Sequence, residues 1–596
     1  MSLKSKINMV KFYYKRNGFI KTFKKVKYKL FHILSNRKKY KNDIEDYQLW
    51  IKNNEPSAEE IEEQRKKKFE YEPKISIVVP MYNTKEEFLK ELIDSILQQT
   101  YVNWELCLAD GSPQKKEYVD KYVSQSEKII YRFLDDNKGI SGNTNCAIEM
   151  ATGEYIAFLD HDDILPIFSL YEIVDCINNN KDADFIYTDE DKIFNGKRIE
   201  PHFKSDYAPD MLMSYNYICH FAIYRKDLIK KIGLLDSNFD GSQDYDFILR
   251  ATENASKIMH IPKILYHWRM NEDSVALNSS AKPYAYEAAK RAIKAHLDRI
   301  GVDADVEDSE TAGIYKVKYK ITGNPKVSII ISSNGDIRLL NKCLKSVFKR
   351  TNYSNIEIII VACDGIDKIK KYYEAIKKDN RIKLTNNDKK ICKHSRAINI
   401  GVGNSDGEYM VFLDSSMKII SNDWIETLLG NCQRKDVGIV GAKIIYNNSK
   451  IEHVGIILDD SKIAINVNEN TNINEAGYMA RNNIIQNYNV VSNKLMMISR
   501  DNYNEMNGFD ESLSNLCSNI DFCLKIRNNG KQVVMNPLTV AKDKKIRKIK
   551  TENFKDIRHS ENFEVFEERW AKIYKSNDIY YSPNFEKDKC VFKIKI

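Results

Sequence analysis

One eight-residue segment of this chain occurs twice. Gly153-Glu154-Tyr155-Ile156-Ala157-Phe158-Leu159-Asp160 returns as Gly407-Glu408-Tyr409-Met410-Val411-Phe412-Leu413-Asp414, about 250 residues later. The surroundings repeat with it. The run Ile75-Ser76-Ile77-Val78-Val79 corresponds to Val327-Ser328-Ile329-Ile330-Ile331, and Trp104–Ala109 before Asp110-Gly111-Ser112 corresponds to Ile356–Val361 before Asp364-Gly365. Short apolar runs without polar alternation mark strands buried on both faces, as in parallel sheets. Between them lie helical stripes: Phe88, Leu89, Leu92, Ile93, Ile96 and Leu97 in the first copy; Leu339, Leu340, Cys343, Leu344 and Val347 in the second. Strand–helix alternation argues for a doubly wound α/β sheet, and its return argues for duplication of a whole domain. A chain of 596 residues has room for both copies. The expected organisation is a basic arm and helical connector (1–72), a first domain (73–280), a linker helix (281–325), a second domain (326–560) and a C-terminal tail (561–596).

Charge separates the arm from the rest. Residues 1–42 carry fourteen Lys and Arg and no acid; the net charge is +9, so the remainder stands at −5. Phe19, Phe23, Val26, Leu30 and Ile33 recur at helical spacing, with Lys21, Lys24, Lys25 and Lys29 mostly off that stripe. A basic amphipathic helix of this kind suits an anionic membrane surface. No apolar run approaches the ~20 residues that span a bilayer, and no secretory signal is expected, since an apolar core with a small-residue cleavage site is lacking. Nucleic acid is not an expected partner: the body is acidic and no reading motif accompanies the arm. Eleven cysteines show no C-x-x-C spacing, so neither a zinc site nor a disulfide framework is indicated. The expected location is cytoplasmic, peripheral at the inner face of the cell membrane.

The chemistry lies at the end of the repeated segment. In the first copy it runs into Asp160-His161-Asp162-Asp163. Crowded carboxylates repel one another; a hard divalent cation, Mg²⁺ or Mn²⁺, relieves that. Acids at the carboxyl end of a strand also sit where open α/β sheets bind ligands. The first reading is therefore a metal–diphosphate site; the alternative, for such a cluster standing alone, is a solvated acidic turn.

Five motifs in order, Pro80-Met81-Tyr82-Asn83, Asp110-Gly111-Ser112, Asp160-His161-Asp162-Asp163, Gln243-Asp244-Tyr245-Asp246 and Tyr266-His267-Trp268-Arg269, resemble those of family 2 glycosyltransferases with the GT-A fold. The tandem layout is similar to two-domain transferases of bacterial O-antigen and surface-polysaccharide assembly. The resemblance implies two tandem Rossmann-like GT-A domains, a nucleotide-sugar donor, a saccharide or lipid-linked saccharide acceptor, and a divalent metal. It implies Asp162 and His267 as metal ligands, and Asp160 on the ribose or the metal's water shell. Pro80, Tyr82, Asp110 and Lys138 fall to the nucleotide side, and Asp244 is the catalytic base. Asp246 is expected to support that site. A base taking a proton from the acceptor hydroxyl contributes about 10²–10⁴-fold, and a single base implies inversion. The chain departs from the pattern at Ala109, where relatives often carry a second acid, and at Thr144, where many carry Arg. Thr188-Asp189-Glu190-Asp191 is expected either to line the donor-sugar or acceptor side or to be a solvated turn.

The second copy has lost the corresponding groups. Ser332 replaces Pro80, Ser416 stands at the metal carboxylate, Asn519 at the base, and Ala541-Lys542-Asp543-Lys544 where relatives carry the late His. An amide cannot accept the proton. The second domain is expected to be non-catalytic. The alternatives are a bifunctional two-site transferase or polymerase, a nucleotidyltransferase, which would need a Gly-rich basic loop that Pro80-Met81-Tyr82-Asn83-Thr84 does not supply, and a membrane-docked carbohydrate-binding scaffold.

Overall fold

The computed structural model describes residues 43–270, 283–387, 393–545, 554–588 and 591–596. The arm of residues 1–42, with its expected membrane-surface helix, lies outside the described residues. The chain emerges into a helix over 43–54 and a second over Ala58–Lys66, whose start is fixed by a capping box between Ser57 and Glu60.

The first unit is built on eight strands: β1 (Ile75–Met81), β2 (Trp104–Asp110), β3 (Ile129–Phe133), β4 (Tyr155–Phe158), β5 (Phe185–Phe194), β6 (Lys197–His202), β7 (Ala222–Arg225) and β8 (Ile258–Arg269). Their order is β3-β2-β1-β4-β7-β5-β6, with β8 paired to β5. The strands β1 to β4 are parallel. The short β7 enters antiparallel to both β4 and β5. Its insertion carries the residues just before it to the carboxyl end of β4, where the acidic loop begins.

The second unit repeats the plan. Strands Val327–Ser333, Ile356–Ala362, Ile382–Asn386 and Tyr409–Asp414 take the places of β1 to β4, Leu495–Ser499 that of β7, Val437–Ile445 that of β5 and Gln532–Asp543 that of β8. Register makes the equivalence residue by residue. Tyr155 pairs with Arg225 and Tyr409 with Ser499, so Lys494 stands where His220 stands. Ile164 pairs with His267 and Lys418 with Lys542, so Lys542 takes the place of His267. The duplicated glycines have a packing reason. Ser76 Oγ bonds Glu105 at 2.6 Å and accepts the Gly153 N–H at 2.8 Å; Ser328, Glu357 and Gly407 repeat this with the same distances. A Cβ on either glycine would collide with that serine.

The segments around the two sheets are integral parts of the packing. The helix Pro283–Arg299 buries Ala288, Ala292, Ile293 and Leu297 and packs against the helix Gln243–Asn254. The expected 281–325 linker also contains a hairpin, Ala304–Asp308 with Tyr315–Tyr319. The 561–596 stretch contributes the helix Phe563–Tyr574, and its Asn584 side chain reaches Asp189 of the first unit at 3.3 Å. Between the units, Asp210 is buried against Arg434 and exchanges hydrogen bonds of 2.9 and 2.8 Å with Asn487.

Candidate active site

The site lies at the carboxyl end of β4, between the acidic loop, the residues before β7, the end of β8 and the first turn of the helix Gln243–Asn254. The three acids of the loop have different fates. Asp163 is fully buried; it accepts from the Tyr266 hydroxyl and from the Arg269 N–H at 2.7 Å. Burial, with Asp162 and Asp160 beside it, pushes its carboxyl well above the usual range. It anchors the loop, and the Arg269 guanidinium latches the Asp162 carbonyl at 2.7 Å. Asp160 remains half-exposed, and Asp162 is part-buried.

His267 is buried at the end of β8, with Nδ1 2.5 Å from Asp191 Oδ1. A carboxylate on one ring nitrogen fixes the tautomer and leaves Nε2 as the nitrogen for a metal. Among the described residues no group of three or more His, Cys, Asp or Glu converges as a metal cage. The available set is Asp162, one carboxylate, and His267, one oriented imidazole. That set fits a divalent cation completed by substrate phosphates, the way Mg²⁺ is usually held.

Asp244 is half-buried in the first turn of its helix and accepts a hydrogen bond from Asn216 Nδ2 at 2.9 Å. Burial pushes its carboxyl up; His220 pulls it back in part, and Asp160 adds a smaller upward push. Asp246 has a different role. It is buried and paired with Arg250 at 2.7 Å, a structural tie within the helix.

The residues expected on the nucleotide side lie on the opposite flank, at β1, β2 and the start of the helix Gly139–Met150. Pro80 is in β1, in register with Ala109 of β2. Tyr82 is 45% exposed just beyond β1. Asp110 ends β2 with both oxygens engaged: Oδ1 by the Ser112 N–H (2.9 Å) and hydroxyl (2.5 Å), Oδ2 by the Tyr131 hydroxyl (3.0 Å). Lys138 precedes the helix Gly139–Met150, and its ammonium lies 3.6 Å from Cys146 Sγ.

One alternative is overturned. Thr188-Asp189-Glu190-Asp191 is not a solvated turn: all four residues lie within β5 and are buried. Each carboxylate has partners. Asp189 meets His260 at 2.9 Å, Glu190 meets Lys204 at 3.2 Å, and Asp191 meets Arg198 at 2.6 Å besides His267. These acids form the layer beneath the site.

Sequence reasoning missed His220. Its Nδ1 lies 3.4 Å from Glu190, its Nε2 3.7 Å from Asp160, and its ring stacks on Tyr266 at 4.7 Å. Burial disfavours its charge, but Glu190, Asp160 and Asp163 outweigh that and raise its pKa to about 9. These carboxylates favour its imidazolium form beside the acidic loop. No motif marks it, because its place depends on the insertion of β7.

The equivalent positions of the second unit carry other chemistry. Ser416 is buried, and its N–H donates to Asp414 Oδ1 at 2.8 Å. Asn519 donates to the Val491 carbonyl at 3.0 Å. Lys494, in the His220 place, is paired with Glu452 and, at 3.1 Å, Asp543. Asp521 is tied to Trp570, Arg569 and Lys525 at 2.9, 3.0 and 2.7 Å, the counterpart of the Asp246–Arg250 tie.

The family model described as glycosyl transferase family 2 matches residues 76–233 and again 328–504. Among curated relatives, the uncharacterized protein y4gI of Sinorhizobium fredii is 36% identical over 78% of this chain and 52% of its own length. The O-antigen biosynthesis protein RfbC of Myxococcus xanthus is 27% identical over 83% of this chain and 39% of its own. The chain thus spans about half the length of the first and less of the second. A crystal structure of S. aureus TarS residues 1–349 in complex with UDP-GlcNAc aligns with a TM-score of 0.32 and 22% identity, over 38% of this chain and 66% of that one.

Proposed function

This chain belongs to glycosyl transferase family 2, and from that premise we propose that its first unit carries an inverting, metal-dependent transfer. The donor is a nucleoside-diphosphate sugar, and the acceptor a growing, lipid-linked cell-surface polysaccharide. Residues 73–280 form the catalytic domain in this reading, and 326–560 a degenerate copy without catalysis. The observation that carries it is the contrast between the two copies: Asp162, His267 and Asp244 are assembled around one loop in the first, whereas Ser416, Lys542 and Asn519 occupy the same positions in the second.

In the proposed reaction the acceptor hydroxyl lies against Asp244, whose carboxylate takes its proton as the oxygen attacks the anomeric carbon. The bond from that carbon to the diphosphate oxygen breaks, and its electron pair leaves with the nucleoside diphosphate. Attack from the face opposite the leaving group inverts the anomeric centre. The upward push on the Asp244 carboxyl makes it a stronger base than an ordinary aspartate. Asp160 receives the ribose, while Pro80, Tyr82 and Asp110 border the base, and Lys138 attends the phosphates. With no arginine at Thr144, the metal or Lys138 carries more of the diphosphate charge, while His220 lies 3.7 Å from Asp160. A Mn²⁺ or Mg²⁺ ion held by Asp162 and His267 supplies, when bound, Lewis-acid stabilisation of the departing diphosphate. The arm of residues 1–42 brings the enzyme to the inner face of the membrane; no described helix is long and apolar enough to cross one.

A donor screen tests the reading. Hydrolysis of UDP-, dTDP- and GDP-sugars with Mn²⁺ is expected for one of them and is expected to stop in excess EDTA. Full turnover in EDTA refutes the metal; no turnover of any donor with a polysaccharide primer present refutes the transferase assignment of the first unit.

A further inference from the structure

We propose that Tyr47, on the helix over 43–54, is a positioning residue for His267 and acts through Asp191. The inference rests on the reading of His267 as a metal ligand. It places a segment that precedes the family-matched region, which begins at residue 76, inside the machinery of the site.

Asp191 divides its oxygens between two groups. Oδ1 faces His267 Nδ1 at 2.5 Å. Oδ2 accepts from the Tyr47 hydroxyl and from Arg198 Nε, the latter at 2.6 Å. Tyr47 and Asp191 are fully buried and His267 nearly so, so water does not compete for these bonds. A carboxylate held at one oxygen by two donors cannot turn, and its other oxygen then fixes the imidazole ring. Burial and the neighbouring Asp191 keep the phenol well above its usual range, so the hydroxyl stays a donor.

Tyr47 is itself held. Its ring lies 5.8 Å from Trp50, and Trp50 lies 4.9 Å from Phe203. The same helix docks through Gln48 to the Arg198 carbonyl at 2.8 Å, and Glu55 takes the Arg198 guanidinium in a two-pronged pair at 2.9 and 2.5 Å. The helix therefore supplies one of the two donors to Asp191 and orients the other. Nothing comparable is required of the second unit, where Lys542 replaces His267.

The test uses the full chain and Mn²⁺ with UDP, dTDP or GDP in turn, whose diphosphate completes the coordination, with the free-ion paramagnetic resonance signal reporting the fraction bound beyond nucleotide-only controls. His267→Ala is expected to lose binding. Tyr47→Phe keeps the ring and removes only the hydroxyl; it is expected to bind Mn²⁺ about tenfold more weakly, the lower end for loss of a partner behind a metal ligand. Its melting temperature without metal should stay near wild type, and its kcat should recover at saturating Mn²⁺. Asp191→Asn should weaken binding at least as much, and it decides the matter should Tyr47→Phe not fold. Binding by Tyr47→Phe, or in that event Asp191→Asn, within twofold of wild type while His267→Ala loses it would overturn the positioning role. Undiminished binding by His267→Ala would instead overturn the metal-ligand reading, and this inference with it.

Discussion

Replacing Asp244 with Asn gives the first unit the side chain that the second already has at Asn519. The two side chains are nearly isosteric, and Asn216, which donates to Asp244 Oδ2 at 2.9 Å, can still donate to the amide oxygen. What is lost is proton acceptance. A general base contributes about 10²–10⁴-fold, so kcat is expected to fall at least about 10²-fold, equal to about 2.7 kcal/mol of transition-state stabilisation. Donor affinity is expected to hold, because Asp162 and His267 are untouched. Stability is also expected to hold or rise: burial pushes the Asp244 carboxyl up, so the folded state disfavours its ionised form relative to the unfolded chain, and Asn removes that cost. The same upward push fixes the sign of the pH dependence. Activity needs the carboxylate, so on acidification wild type should lose kcat at a higher pH than an ordinary aspartate would dictate. The assay is steady-state transfer with the identified donor, followed from acidic to neutral pH, beside donor titration by calorimetry. An unchanged kcat with a raised KM would refute the base assignment and leave Asp244 as a residue that only positions substrate.

Three further outcomes are expected. Asp162→Ala should abolish transfer, whereas Asp414→Ala, at a position where Ser416 and Lys542 replace the ligands, should leave it within a few-fold; a second nucleotide-sugar consumed by Asp162→Ala would mean that the second unit is catalytic. Arg434→Ala leaves Asp210 buried between the units without its cation, which should cost about 3–5 kcal/mol and lower the urea midpoint, and a change below about 1 kcal/mol would show that Asn487 satisfies Asp210 alone. Deleting residues 1–42 should abolish co-sedimentation with anionic vesicles at low salt, since each basic residue near such a surface contributes about 1 kcal/mol, and equal recovery of both proteins in the supernatant would refute the docking arm.

The duplication, the buried strands and the acidic loop were legible in the sequence because each rests on neighbours along the chain. An apolar run such as Ile75–Val79 states its own burial, and the Ser76–Glu105–Gly153 clasp repeats visibly as Ser328–Glu357–Gly407. The order of the motifs likewise singled out Asp162, Asp244 and His267 as expectations, because the loop after β4, the start of the helix Gln243–Asn254 and the end of β8 are each defined by local pattern. Which carboxylates serve the site and which serve the fold was decided only in three dimensions. Asp163 is adjacent to Asp162, yet Tyr266 and Arg269, a hundred residues away, bury it as an anchor. Thr188–Asp191 reads as polar and therefore solvated. Its acids are buried because His260, Lys204 and Arg198 arrive from separate segments to pair with them. His220 and Tyr47 carry no motif at all, since their partners, Glu190 and Asp191, lie 30 and 144 residues along the chain. Local periodicity fixes what a segment can become; the charge state and role of a buried polar group depend on what the fold brings against it, and that is tertiary information.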